Sequence, residues 1–436
     1  MKLKAILMLL ACMLFFTSCS YNLGIEGLMH PPKLTDEQEQ IYTALIKATG
    51  KNITLKYPRT GDYRSAFVLV NIDDEPTEEA LVFYEMSALT ADDSALRINV
   101  LDKGENGWES VYDLAGLGTD VDRVVFSKLG TSSDISVIVG FTILSQAERA
   151  LKIYSYNNGI MTEVHTDSYS AMDVVNIDSV DGNELLLIQN NAASETARAK
   201  LLRQSREGAF IAEESAMDAS ALDYTALLKG NLGNNTAIYV DSNRGANQIA
   251  TEILVYKYSK LRNLLYGEEL NLSEKTLRPA GMASMDIDHD GVIEIPITSP
   301  FPGYETYTKN EQITATNWYT YEENDLVRKY HSYYNTSKGY VFMFPQRWQG
   351  TVTVKLDSDA DELIFYKYEG EINDKMVELM RIRTGDKEKE NSEELRKRGY
   401  KQIVTGRDYW VKLTKNDSEP LILTMSEVTF NFMLLY

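Results

Sequence analysis

The sequence is poor in the residues that staple or metallate a fold. It holds two cysteines, Cys12 and Cys19, both within the first nineteen positions. Neither can cross-link the remaining chain, which excludes a disulfide framework and a multi-cysteine zinc site. There are four histidines, His30, His165, His289 and His331, and none has a second histidine at ligand spacing. No G-x-S-x-G elbow, P-loop, G-x-G-x-x-G turn or H-E-x-x-H pair occurs, so the common nucleophile, phosphate and zinc-protease signatures are absent. Basic residues are also in deficit: 44 Lys and Arg stand against 64 Asp and Glu, a formal charge of −20. Such a surface repels nucleic acid and anionic headgroups, and suits cations, basic proteins or neutral glycans.

Long apolar runs are missing too, with one exception. In "MKLKAILMLLACMLFFTSCS", Lys2 and Lys4 precede an apolar run from Ala5 to Phe16. That run is too short for a free-standing membrane helix and has the plan of a secretion signal. It ends in Phe16-Thr17-Ser18-Cys19, which resembles a bacterial lipobox. The resemblance implies a signal peptide at 1–18, cleavage before Cys19, lipidation of its thiol, and a protein anchored to the cell membrane on its extracytoplasmic face. Acyl chains on one cysteine hold a protein stably at a bilayer. Residues 19–34 then read as the lipidated cysteine and a tether.

A helix and lead-in are expected over 35–56. Thr35 is a candidate N-cap, Gln38 stands at the third position of a capping box, and Gly50 closes the pattern. From 57 to 335 the chain reads as short strands and polar turns. Three stretches repeat one plan: "FVLVNIDDEPTEEALVFY" (67–84), "MDVVNIDSVDGNELLLI" (172–188) and "GMASMDIDHDGVIEIP" (281–296). Each is an apolar strand, then Asn or Asp, Ile, Asp, an acidic turn, an acid and a second strand. Weaker copies occur at 121–141 and 237–256. The period is roughly 50 residues, that of a four-stranded propeller blade. The expected fold is therefore mainly β: a β-propeller of about five visible four-stranded repeats, with each acidic loop joining one blade to the next. A small α+β domain is expected over 338–436, carrying strands at 350–356, 361–368 and 377–383 and a helix over 386–398.

The acidic loops need explaining. Two carboxylates about 4 Å apart at an effective dielectric of about 20 repel by roughly 4 kcal/mol. Solvent, backbone N–H groups or a cation must offset this. The repeats resemble the FG-GAP/VCBS type of propeller repeat found in integrin α-chains and bacterial surface proteins, on Asp286, Asp288, Asp290, Gly291 and Glu294. The resemblance implies a structural calcium ion held by Asp286, Asp288, Asp290, Glu294 and the Val292 carbonyl. Calcium takes six to eight hard oxygens, which alternating acids on a tight turn present to one point. Weaker sets are Asn71, Asp73, Glu75 and Glu79, and Asn176, Asp178, Asp181 and Glu184. The copies at 127–134 and 241–252 have lost most of these acids and read as structural turns.

At 340–348, Tyr340, Phe342, Pro345 and Trp348 form a strand leading into a Pro/Trp corner, which resembles PsbP-like domains. The segment 301–335 is rich in tyrosine. Tyr304, Tyr307, Trp318 and Tyr321 are candidates for a ligand-stacking face, against the alternative that strand alternation buries half of them. No catalytic residue is assigned. The pattern favours a non-enzymatic binding or scaffold lipoprotein for an envelope protein or cell-wall glycan. The alternative is a carbohydrate-active enzyme with a carboxylate pair in a propeller pocket.

Overall fold

A computed structural model describes residues 34–435, apart from 74, 87–94, 145, 179–181, 192–193, 246, 268–269, 386–391 and 417. Cys19 and the lipobox lie outside the described residues. The chain divides into two compact units, one holding most of the first 115 residues and the other 57–64, 72–74 and 116–436.

In the first unit, the helix Asp36–Thr49 begins at the expected cap. Thr35 and Gln38 exchange side-chain and backbone hydrogen bonds of 3.2 and 3.1 Å, and Gly50 ends the helix at φ 89°. Ile41 and Leu45 recur at helical spacing and are buried against Phe67, Val82 and Tyr84 of an antiparallel sheet. In that first sheet, Glu79–Met86 pairs with Phe67–Val70 along its first half and with Ile53–Leu55 along its second. Leu96–Gly104 and Gly107–Ala115 complete it.

Among the described residues, the second unit contains five further sheets of four or more strands. The second comprises Asp120–Lys128, Ile135–Thr142, Arg149–Asn157 and Ile160–Tyr169, in that order. The third comprises Ala171–Val175, Glu184–Asn191, Thr196–Gln204 and Phe210–Met217. The fourth comprises Asp223–Leu232, Asn235–Arg244, Gln248–Lys257 and Lys260–Asn263, with Arg278–Pro279 on its third strand. The fifth runs Ile295–Pro300, Thr314–Glu322, Asp325–Asn335, Tyr340–Met343 and Phe432–Leu434. The sixth holds Val352–Asp357, Glu362–Lys367, Glu378–Thr384, Tyr409–Leu413 and Lys401–Gln402.

Within the second unit, successive sheets stack face to face, as propeller blades do. In Glu184–Asn191, Leu185 and Leu187 pack on Ile138, Leu151 and Ile153 of the second sheet. The alternating residues Leu186 and Ile188 pack on Ile238, Val240 and Leu254 of the fourth. A strand buried on both faces needs apolar side chains at every position, which is why "ELLLI" reads as an unbroken run. The fourth and fifth sheets meet through Tyr239, Ile253 and Val255 against Ile293 and Ile295.

Two expectations change. The acidic loops at 71–79 and 176–184 close hairpins within a sheet, whereas the loop at 286–294 lies between Arg278–Pro279 of the fourth sheet and the first strand of the fifth, as expected. The residue before each loop pairs directly with its last acid: Val70 with Glu79, Val175 with Glu184 and Met285 with Glu294. The strand Tyr340–Met343, read as opening a separate domain, instead extends the fifth sheet, and the chain terminus returns beside it. Phe342, Phe344 and Trp348 share one core with Val354, Phe365 and Ile382 of the sixth sheet. Large alternating aromatics fill the gap between these two sheets, so the fifth and sixth sheets have a common core. The Pro345 corner is present as a turn of 3₁₀ helix over Gln346–Trp348. A helix covers Ser392–Lys397 within the expected 386–398, whose residues 386–391 lie outside the description.

One buried ion pair anchors the fourth sheet. Asp241 and Arg278 are both fully buried, 3.0 Å apart. Thr251, Ser284 and the Ser284 N–H donate to Asp241, and Arg278 donates to the Met282 and Thr276 carbonyls. Removing one partner strands the other charge. Asp241→Ala is expected to lower stability by about 3–5 kcal/mol in a urea titration.

His331 gives a second test. Its ring meets the edge of Phe344 at 4.9 Å, and its buried Nδ1 has no hydrogen-bond partner among the described residues. Burial, aided by Arg328, lowers its pKa from 6.5 to about 4. The folded state therefore resists protonation, so this contribution to stability is full above pH 6.5 and is lost as pH falls toward about 4. His331→Phe should remove that part of the acid sensitivity, read as urea midpoints at neutral and acidic pH.

Candidate functional site

The repeated motif N/D-I-D…E has a common local geometry. Its isoleucine is buried in all three strong copies, as Ile72, Ile177 and Ile287. Its last acid is buried as well: Glu79, Glu184 and Glu294 are 1 %, 2 % and 0 % exposed. A carboxylate taken out of water requires partners. Glu184 Oε2 accepts from the Ile177 N–H at 3.0 Å, and Glu294 Oε2 accepts from the Ile287 N–H at 3.0 Å. Burial, with Asp178 nearby, raises Glu184 to about 7. Burial also raises Glu294, against the opposing pull of Lys329 and the Ile287 N–H.

The hairpin at 286–294 is the most acidic. Asp286 accepts from the Asp290 and Gly291 N–H groups at 3.0 and 2.8 Å, and Asp290 accepts from the Val292 N–H at 2.8 Å. Gly291 stands at φ 86°, and a Cβ there would lie 2.5 Å from Asn231 Nδ2. The neighbouring strand binds back, with the Asn231 N–H donating to the Gly291 carbonyl at 2.7 Å. Oxygens of Asp286, Asp288 and Glu294 lie within 4.8 Å of one another, the one such carboxylate group among the described residues. These hard donors suit calcium. However, the Lys329 ammonium lies 2.9, 2.5 and 2.9 Å from Asp288, Asp290 and Glu294, at the point where those carboxylates converge. The set therefore fits calcium only with Lys329 withdrawn.

Among the described residues, the weaker sets form no such group of three carboxylates. Asn71 donates to the Glu75 carbonyl, and Asp73 lies in the turn before Glu79–Met86. Asn176 donates to the Gly182 carbonyl at 2.7 Å, and Asp178 pairs with Arg203 at 3.2 Å. Asp181 lies outside the described residues. The aromatic candidates do not form an exposed face. Trp318 is fully buried, donates to Ser332 at 2.8 Å and stacks on Tyr334. Tyr304 is buried, its hydroxyl donating to the Val354 carbonyl at 2.9 Å, and Tyr321 packs beside the core of the fourth and fifth sheets. Tyr307 alone of the four is well exposed, at 44 %.

A cleft that no motif announces lies where the first strands of the second, third and fourth sheets meet the segment 60–63. Its volume is about 680 Å³, within the usual range for small-ligand sites. Asp62, Tyr63, Arg123, Phe126, Asp173 and Asp223 line it. The segment is held by backbone bonds from Arg59 to Val121 (3.2 Å) and from Thr60 to Asp122 (2.8 Å). Below, the Tyr169 hydroxyl donates to buried Asp122 at 2.6 Å, Arg149 pairs with Asp122 at 3.2 Å, and Arg123 donates to the Met172 carbonyl at 2.8 Å. Gly140 makes room for Tyr169, since a Cβ there would lie 1.9 Å from its hydroxyl. Tyr63 meets Phe126 edge to face at 5.0 Å. Asp173 is an exposed residue that is partly desolvated where it lines the cleft. That desolvation raises its pKa, with Asp62 adding to the rise and the Val174 N–H and Arg123 opposing it. A signal for this cleft was available: Arg123, Asp173 and Asp223 fall one repeat period apart.

No described protein family and no curated protein matches this chain. Among solved structures it is similar to the periplasmic gluconolactonase PpgL of Pseudomonas aeruginosa, at 12% identity over 73% of this chain and 86% of that one, with a TM-score of 0.28. Sqt1 of Saccharomyces cerevisiae is similar at 10% identity over 78% and 85%, with a TM-score of 0.31. A variant of the α-L-arabinofuranosidase Arb93A of Fusarium graminearum is similar at 8% over 75% and 96%, with a TM-score of 0.28.

The hairpin geometry assigns the last acid a structural task that needs no metal. Glu184→Ala should cost about 1–3 kcal/mol, because it leaves the Ile177 N–H unpaired. Glu184→Gln keeps an acceptor and should cost less than half as much. Urea titrations with a chelator present would check both.

Proposed function

We propose that this chain is a lipid-anchored, extracytoplasmic binding protein whose cleft takes a polyhydroxylated, glycan-like ligand. Cys19 would carry the anchor, as its place at the end of a short apolar run suggests. The observation that carries the ligand class is the cleft lining. Asp62, Asp173 and Asp223 supply acceptors for hydroxyl groups, Arg123 supplies donors, and Tyr63 with Phe126 offers an aromatic wall. Sugar rings need this mixture of polar edges and apolar faces. The net acidic surface favours a neutral ligand over an anionic one.

A second reading has one specific observation behind it. Asp173 is raised by desolvation and by Asp62, and a raised carboxyl group beside a second carboxyl group is what glycoside hydrolysis requires. In that reading protonated Asp173 gives its proton to the leaving glycosidic oxygen as the C–O bond breaks. Asp62 takes a proton from the water whose oxygen bonds to the freed sugar carbon.

The test is calorimetric titration of the full-length, detergent-solubilised protein with soluble cell-wall glycan fragments, alongside an assay for newly released reducing ends. Asp173→Asn and Asp223→Asn remove exposed charges and should spare the fold. Each should weaken binding about ten-fold or more, as expected for hydrogen bonds to charged groups. Unchanged affinity in both variants would remove the cleft from the proposal. Reducing ends released by the wild type and lost in Asp173→Asn would establish the enzymatic reading instead.

A further inference from the structure

The acidic loops at 176–184 and 286–294 share a feature outside their motif: each receives a basic side chain from another strand of its sheet. Lys329, on the strand Asp325–Asn335, reaches Asp288, Asp290 and Glu294 at 2.9, 2.5 and 2.9 Å. In the third sheet Arg203 meets Asp178 at 3.2 Å, with its guanidinium 4.1 Å from the Tyr256 ring centre. In the decayed copy of the fourth sheet, Arg278 meets Asp241 at 3.0 Å and Arg244 meets Glu252 at 3.4 Å.

At the 286–294 hairpin the ammonium is fixed from several sides. The Tyr330 hydroxyl donates to Asp288 Oδ2 at 2.5 Å, the same oxygen that Lys329 approaches. Glu294 is wholly buried, and its second oxygen is taken by the Ile287 N–H. A calcium ion lies about 2.3–2.6 Å from its ligand oxygens. At that distance from Asp288 and Glu294 it would compete for the space and the charge that Lys329 Nζ already fills.

We propose that Lys329 is the resident cation of the 286–294 hairpin, and that it makes this loop independent of calcium. The ammonium neutralises the converging carboxylates and ties the loop to the neighbouring strand. It thereby fixes the turn as a bound ion would, without dependence on the ion's concentration. Removing the ammonium converts the same carboxylates into a divalent-cation site.

Terbium, which takes the same oxygen donors as calcium, reports on this site through tyrosine-sensitised luminescence, because Tyr330 lies against Asp288. The full-length protein would be titrated with terbium and then challenged with calcium. Wild type should show no luminescence that Asp288→Asn abolishes. Lys329→Met should gain such a signal, with apparent affinity about ten-fold or more above wild type, since a site occupied by a competing group binds in proportion to its free fraction. Adding Asp288→Asn to Lys329→Met should abolish it. Equal affinity in wild type and Lys329→Met overturns the proposal, and so does a folded Lys329→Met variant that gains nothing. Should Lys329→Met fail to fold, wild-type melting decides. The same Tm in chelator and in millimolar calcium supports the proposal, and a calcium-dependent rise that Asp288→Asn removes refutes it.

Discussion

A carboxylate buried at the base of a hairpin is the constraint around which the repeats are built. Glu79, Glu184 and Glu294 occupy the same position, paired across the hairpin from the residue that precedes the loop. Burying such a group is unfavourable unless its oxygens are satisfied. In the third and fifth sheets the N–H of the motif isoleucine satisfies one of them. The loop must therefore curl back over the strand end, which buries the isoleucine beneath it. The acids that follow are left in the loop, where Asp178 meets Arg203 and Asp288 and Asp290 meet Lys329. Sequence conspicuousness and structural role diverge here: the exposed aspartates stand out on reading, while the buried glutamate sets the turn.

This local device positions the larger architecture. The hairpins at 71–79 and 176–184 fix the register of the strand pairs they join, and register decides which face every side chain takes. With register fixed, the central strands can be apolar on both faces and stack between neighbours. Leu185 and Leu187 face one way and Leu186 and Ile188 the other. The cleft is a by-product of the same stacking. It forms where the first strands of three consecutive sheets come together, and successive repeats contribute Arg123, Asp173 and Asp223 to one place.

Much of the local structure was legible. The capping box at Thr35 and Gln38, the helix it starts and the strands flanking each acidic loop follow from short-range signals. Those signals depend on residues within a few positions of one another. The aromatic segment shows where such reading stops. Trp318 and Tyr304 looked available for a ligand, yet they fill the cores between sheets. The strand Tyr340–Met343 has the alternation of any strand, and nothing local says that it extends the preceding sheet. The partners of the buried charges were equally hidden. Arg278 lies 37 positions from Asp241, and Lys329 lies 35 from Glu294.

The sequence by itself determined the repeat, its period and the strands, because backbone periodicity, turn chemistry and capping act over a few residues. It also determined the acidic balance and the apolar run that precedes Cys19. Tertiary structure alone decided which acids meet, what neutralises them and where a cleft opens. Electrostatic and packing partners are chosen by proximity in space, and stacking sheets bring together residues that the chain keeps far apart. That is why calcium is the natural expectation from the loop read alone, and why the folded chain places Lys329 there.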